Sequence, residues 1–373
     1  MSLSSTSTAP GRGSARVAAA VGVAVAVLVP LAVLFAQVWS SSGTGRSFTA
    51  DERRGVAYLA PLTRLLSATT EAQSAAVRGR PVDAAAVRSA VAAVDQVDAR
   101  LGRTLRTSDR WSDARQLVQQ RLTVPSWQPP TAYTQYSDVN TKLLALTRTV
   151  GDNSRLVLDP AIDAYYVMNA SLLRIPEILV DSGRYADLSV LFPTGGNDAT
   201  RAQLAAARNR VATDETDLSD GLLKAFAQTD SSRLAPGLTR QLDDFRIAVD
   251  AVAPSTSLLA PVPERSVTDL IGNQDALQRA TLTLQGASLT ELDALLADRA
   301  SGHTRDRVVA LAAAAVGVLV AGWLARLTWR WAPARPRRRS DDLDDEPVTP
   351  YRPANGTPVP VRTERSGGAR AAR

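Results

Sequence analysis

Two apolar runs stand near opposite ends of the chain, Val17–Val38 and Val308–Ala325, and neither carries a charge. As helices, about 22 and about 18 residues span roughly 33 and 27 Å, enough for a hydrocarbon core of about 30 Å. The rival for the first run is a cleaved signal peptide, but the run is long for one and no clear A-x-A site follows it. The rival for the second is a buried helix of a soluble core. Trp323, Trp329 and Trp331, with Arg326 and Arg330, suit a lipid–water boundary. The short leading tail and the cluster around Arg337–Arg339 are basic, so both termini are expected in the cytoplasm and Ser40–Arg305 outside. The expected layout of this two-pass cell-membrane protein follows. Residues 1–16 form a disordered tail, 17–38 a first span, and 39–305 an outer region. Residues 308–327 form a second span, and 328–373 a basic, then acidic, Pro-rich disordered tail. No signalling module is expected in that tail, because roughly 45 residues of such composition cannot build one.

Between the runs the apolar residues recur at helical spacing. Val56, Leu59, Leu62 and Leu66 make one stripe, ended by Gly79-Arg80-Pro81. Val87, Val91, Val94, Val97, Leu101 and Leu105 make a second, and Trp111, Leu117, Val118 and Leu122 continue it. Pro125–Pro130 reads as a turn carrying Trp127. Val139, Leu143, Leu146 and Val150 follow, then breaks at Gly183 and at Pro193–Asn197. Later stripes are Leu204–Ala225, Leu238–Val252, and a heptad of Leu282, Leu289 and Leu296 after Pro254, Pro261 and Pro263. Strand periodicity is not found. The expected fold class is all-α: an elongated helical bundle outside the membrane, held between two transmembrane helices. Ser40–Ser47 reads as a polar hinge joining the first span to that bundle.

Composition narrows the chemistry. The chain of 373 residues has no cysteine and one histidine, His303, which excludes thiolate catalysis and multi-histidine metal sites. A triad would depend on that one histidine, at the foot of a membrane segment. No enzyme activity and no cofactor are expected. The net charge of +6 lies largely at the two ends, which points to a membrane surface rather than nucleic acid.

The richest stretch is Leu156–Leu179, LVLDPAIDAYYVMNASLLRIPEIL. Asp159-Pro160 fits a helix cap followed by the first helical position. Ile162, Tyr165, Tyr166, Leu172 and Leu173 then form an apolar face until Pro176 interrupts the ladder. The candidate ligand-binding set is Asp159, Asp163, Tyr165, Tyr166, Asn169 and Arg174. Asp159 and Asp163 share a face and could hold a cation, or could simply cap the helix and favour its positive end. The tyrosines could line a pocket or fill core. Arg174 suits a carboxylate ligand, or pairs with Glu177 along the helix.

Particular residues here resemble a known sensor pattern. Leu158-Asp159-Pro160, Asp163, Tyr165-Tyr166 and Met168 match LDP-x-x-D-x-YY-x-M, and Arg174, Pro176 and Glu177 match its R-x-P-E continuation. Upstream, Glu52-Arg53, Gly55-Val56, Tyr58-Leu59 and Pro61-Leu62 are similar to an ER-x-GV-x-YL-x-PL opening. Leu295-Leu296 and Arg299 are similar to its close. The pattern is that of extracytoplasmic helical domains in some methyl-accepting chemotaxis receptors and related bacterial diguanylate cyclases and histidine kinases. Where that family has a His-Arg pair, this chain has Ala72-Gln73. The resemblance implies a membrane-anchored sensor that binds a small molecule or a protein, acts as a homodimer or through a separate signalling partner, and relays a helix displacement. The alternative expectation is a structural or assembly scaffold of the bacterial envelope that senses nothing.

Overall fold

The structure is a computed structural model and describes residues 12–192, 197–254 and 267–330. Every regular element among them is helical. The helices are α1 Arg12–Val77, α2 Ala84–Leu105, α3 Ser108–Leu122, α4 Pro129–Asn153, α5 Ile162–Asn169, α6 Ile175–Leu191, α7 Asp198–Gln228, α8 Leu234–Val252 and α9 Val267–Arg330. A short 3₁₀ turn, Leu156–Leu158, precedes α5, and a π-helical turn, Ala170–Arg174, joins α5 to α6.

Two helices dominate. At 1.5 Å per residue, α1 with 66 residues and α9 with 64 are each roughly 100 Å long. They run side by side for much of their length. The expected hinge at Ser40–Ser47 is instead part of α1. Its hydroxyls bond back onto the helix, Ser40 to Gln37 O at 3.0 Å, Thr44 to Ser40 O at 3.1 Å and Ser47 to Thr44 O at 2.9 Å, so the polar residues need no break.

Around this pair the helices form two rings of neighbours. In one, α1, α2, α3 and α4 touch in turn and α4 closes back on α1. In the other, α6, α7, α8 and α9 do the same. The rings meet where α1 and α4 face α6 and α9. The stripe Val87, Val91, Val94, Val97 and Leu105 is buried, as are Leu238, Leu242, Phe245, Val249 and Val252 of α8. Fully burying such a side chain contributes roughly 1.5–3 kcal/mol. Trp127 in the α3–α4 turn stands edge-on to Tyr136 with centroids 6.2 Å apart.

Several expectations change. Gly183 does not break a helix: it lies inside α6, and a Cβ there would meet Thr70 Cγ2 at 2.5 Å, so glycine lets α6 close on α1. Pro176 sits in the first turn of α6, because the π turn before it absorbs the missing N–H. Of the expected heptad in α9, Leu289 and Leu296 are buried and Leu282 only partly so; Leu270, Leu277, Leu284 and Leu292 complete the buried face. Between those leucines α9 buries Gln274, Gln278, Thr281, Gln285 and Ser288.

Helix Val267–Leu324, within α9, is long and apolar enough to cross a membrane. Its last part exposes Val308, Val309, Leu311, Val316, Val318, Leu319, Val320 and Trp323. The first part of α1 exposes Val21, Val25, Val29, Val33 and Leu34 in the same manner. Apolar surface of this extent on a water-facing protein is unusual and marks a lipid or protein contact. At the upper edge Arg307 stacks over the Trp39 ring at 4.6 Å. Arg326 is exposed. Trp329 and Arg330 end α9, and Trp331, the Arg337–Arg339 cluster and Pro193–Gly196 lie outside the described residues or side chains.

Candidate functional site

The π turn organises the site. Pro176 has no N–H to give the carbonyl four residues back, so a regular helix through this stretch would leave an unmade bond. The chain widens instead: the Ile175 N–H reaches Ala170 O, five residues back. The Ser171 carbonyl is met from outside the turn, by Gln285 Nε2 of α9 at 2.8 Å. Turns of this kind recur at functional sites because they re-aim side chains. Here Asn169, just before the turn, and Arg174, its last residue, stand on the wall of a cleft facing α7.

That cleft has a volume of about 270 Å³ and is bounded by Tyr166, Asn169, Arg174, Asp217, Asp220 and Lys224, among others. Gly221 makes room for the Tyr166 ring, since a Cβ there would stand 3.3 Å from Cδ1. Lys224 Nζ lies 5.7 Å from the same ring's centroid, within cation–π range. Tyr165 meets Tyr166 edge-on at 5.4 Å. Arg174 is held by three carboxylates: Asp214 at 2.7 Å, Asp217 at 2.9 Å and Glu177 at 3.8 Å. Burial, reinforced by Glu177, pushes the Asp214 carboxyl up to about 6 against the pull of Arg174. Two buried atoms are left without partners: Asn169 Oδ1, an acceptor, and Arg174 Nε, a donor. The lining balances Arg174 and Lys224 against Asp217 and Asp220. The cleft thus presents both signs of charge.

Of the six residues expected from the sequence, Tyr166, Asn169 and Arg174 come together here. Of the expected apolar face, Ile162 is 55% and Tyr165 40% exposed, whereas Tyr166 and Leu173 are partly buried and Leu172 fully so. The buried side of the stretch is Ala164, Val167, Met168, Ser171 and Leu172. Asp163 accepts from the Thr229 hydroxyl at 2.8 Å and so ties α5 to the end of α7. Asp159 is elsewhere. Helix α5 begins at Ile162 with Ala161 as cap, and Asp159 stands in extended backbone before it, accepting from the Ala161 N–H at 2.9 Å. Its carboxylate is also paired with Arg299 of α9 at 2.8 Å.

Asp217, Asp220 and Lys224 were not singled out from the sequence. A signal existed: Lys224 is one of only two lysines, and Asp217, Asp220 and Lys224 recur at helical spacing. At the place of the family's His-Arg pair, Gln73 is buried and donates to Asp187 Oδ2 at 2.9 Å. Asn140 Nδ2 donates to Gln73 Oε1 at 3.2 Å. Gln73 is therefore a core cross-link, and Asp187, fully buried, has its carboxyl raised to about 6 by that burial. No protein-family model, no curated protein and no solved structure matches this chain.

Proposed function

We propose that the chain is a two-pass membrane protein with both termini cytoplasmic, whose outer helical bundle works as a sensor. A small molecule in the π-turn cleft biases the relative placement of α1 and α9, and the two spans carry that displacement to a separate signalling partner. One contact supports this reading above the others. Gln285 Nε2 bonds at once to Ser171 O in the π turn, at 2.8 Å, and to Thr63 Oγ1 of α1, at 3.2 Å. A change at the cleft therefore has a short physical route to both long helices. Sliding of packed helices by about 1–2 Å is a known mode of relay.

The test is thermal unfolding of the full chain in lipid nanodiscs against amino acids, organic acids and polyamines. The expected result is a rise of several degrees with zwitterionic amino acids, lost in Lys224→Ala and in Asp217→Ala. A flat response across the panel would favour the envelope scaffold instead. That alternative draws on a broader groove of about 600 Å³ between α4, α6 and α7, lined by ion pairs such as Arg148–Glu177 at 2.5 Å, which suits a protein surface. Topology has its own check: a reporter active only in the cytoplasm, placed at Trp127, should stay silent.

A further inference from the structure

Three ionisable groups far apart in sequence meet at the membrane-proximal end of the outer region. Glu52 of α1 is 0% exposed; no side chain donates to either of its carboxylate oxygens, and the Asp159 carboxylate stands within hydrogen-bonding reach of it. Beside it lies Asp159, which accepts from Arg299 Nη1 of α9 at 2.8 and 2.9 Å. One guanidinium thus serves two carboxyl groups, and its hydrogen bonds go to Asp159. The other charge near Glu52 is Asp51 on its own helix. Asp51 is engaged by Arg54 and, at 3.8 Å, by Arg155. Arg53, one residue on, points to Asp293 at 2.7 Å. Among the described residues, no second cation pairs with Glu52.

Two adjacent carboxylates with one counter-charge, shut away from water, do not both stay ionised. Burial first, then the charge of Asp159, raise the Glu52 carboxyl to about 8, with Arg299 pulling the other way. Near neutral pH Glu52 therefore holds a proton, and the helices can close over it.

We propose that Glu52, with Asp159 and Arg299, is a proton-binding site that latches α1 to α9, so that the pH outside the membrane is a stimulus this protein reads. When the proton leaves for solvent, a second buried negative charge appears beside Asp159. Arg299 must then be shared, or water must enter, and either one loosens the contact between the two helices that run to the membrane. The relay part rests on the function proposed above; the proton site does not.

The antiparallel pairing of the long helices gives a reporter. Trp39 meets Arg307, Thr63 meets Gln285 and Ser67 meets Gln278. Ser47 and Ser301 are exposed and stand on the membrane side of the latch, and the chain has no native cysteine. Nitroxides on Ser47→Cys and Ser301→Cys, in the full chain in nanodiscs, read the α1–α9 separation. Infrared titration of the same sample reads the C=O stretch of protonated carboxyl groups. The expected result is a band lost with a midpoint of about 8, absent in Glu52→Gln, and a nitroxide distance that shifts over the same range only when Glu52 is present. Asp159→Asn should lower the midpoint and Arg299→Gln should raise it; a merely structural cluster would move neither. A midpoint in the ordinary carboxylate range, or a band that survives Glu52→Gln, overturns the proton site. A midpoint near 8 with an unchanged distance overturns the latch. Failure of the amino-acid panel bears on the cleft and leaves both of these measurements standing.

Discussion

Against α8, helix α9 packs on Leu238, Leu242, Phe245, Val249 and Val252. Against α1, the same helix offers Gln278 and Gln285, which meet Ser67 and Thr63. Both interfaces are buried, and polar pairs cross the second among its apolar contacts. Apolar packing is non-directional and strong in sum, so it fixes α8 to α9 as one body. Amide and hydroxyl pairs contribute less net energy, yet each demands a partner. A seam of such pairs has few acceptable registers, and moving between them exchanges bonds rather than opening cavities. The α1–α9 seam is therefore the better place for a discrete displacement, and the α8–α9 face the better place for rigidity.

Substitutions can break this contrast. Phe245→Ala empties the apolar face and should cost about 3–5 kcal/mol in chemical denaturation of the full chain. A loss under 1 kcal/mol would mean that α8 is loosely held. Gln285→Leu keeps the volume but removes the donor to Ser171 O and Thr63; a cost of about 1–3 kcal/mol is expected. A neutral result would show that the seam tolerates an apolar bridge.

The pH dependence sharpens the comparison further. Glu52, Asp187 and Asp214 all have raised carboxyls, to about 8, 6 and 6. In each case the folded state keeps a proton that the unfolded chain releases sooner. Their stabilisation is thus complete below the ordinary carboxylate value and is lost as pH rises through the folded value. Of these three, it is mainly Glu52 that still contributes above about pH 6.5, up to about 2 kcal/mol between there and pH 8. Melting temperature should fall over that window in the native chain and stay level in Glu52→Gln. At the rim of the same seam Arg53 and Asp293 pair at 2.7 Å, but both are about half exposed. Arg53→Ala should change stability by less than about 1 kcal/mol and be masked by salt.

Much of the helical content could be read from the chain because apolar spacing is a local property. The stripes in α2 and α8 are buried as the spacing predicts, and the apolar runs at both ends are helical among the described residues. The candidate site was legible only in part. Tyr166, Asn169 and Arg174 share one short stretch, so a motif could place them together. Asp217, Asp220 and Lys224 come from α7, and nothing in local spacing says that α7 lies across from the π turn. Glu52 illustrates the limit well: its neighbours in sequence are charged, and only packing against residues 159 and 299 makes it dry.

Local pattern, then, determined by itself that the chain is helical, that its ends are greasy and that its basic charge gathers there. Each follows from residue order over one or two turns. Tertiary structure decided which face of α5 turns inward, that Pro176 and Gly183 sit within helices, and that Asp159 serves Arg299 rather than a helix end. Those outcomes depend on partners more than a hundred residues away, or on contacts between helices, and a carboxylate or a carbonyl goes to whichever donor the fold brings within reach.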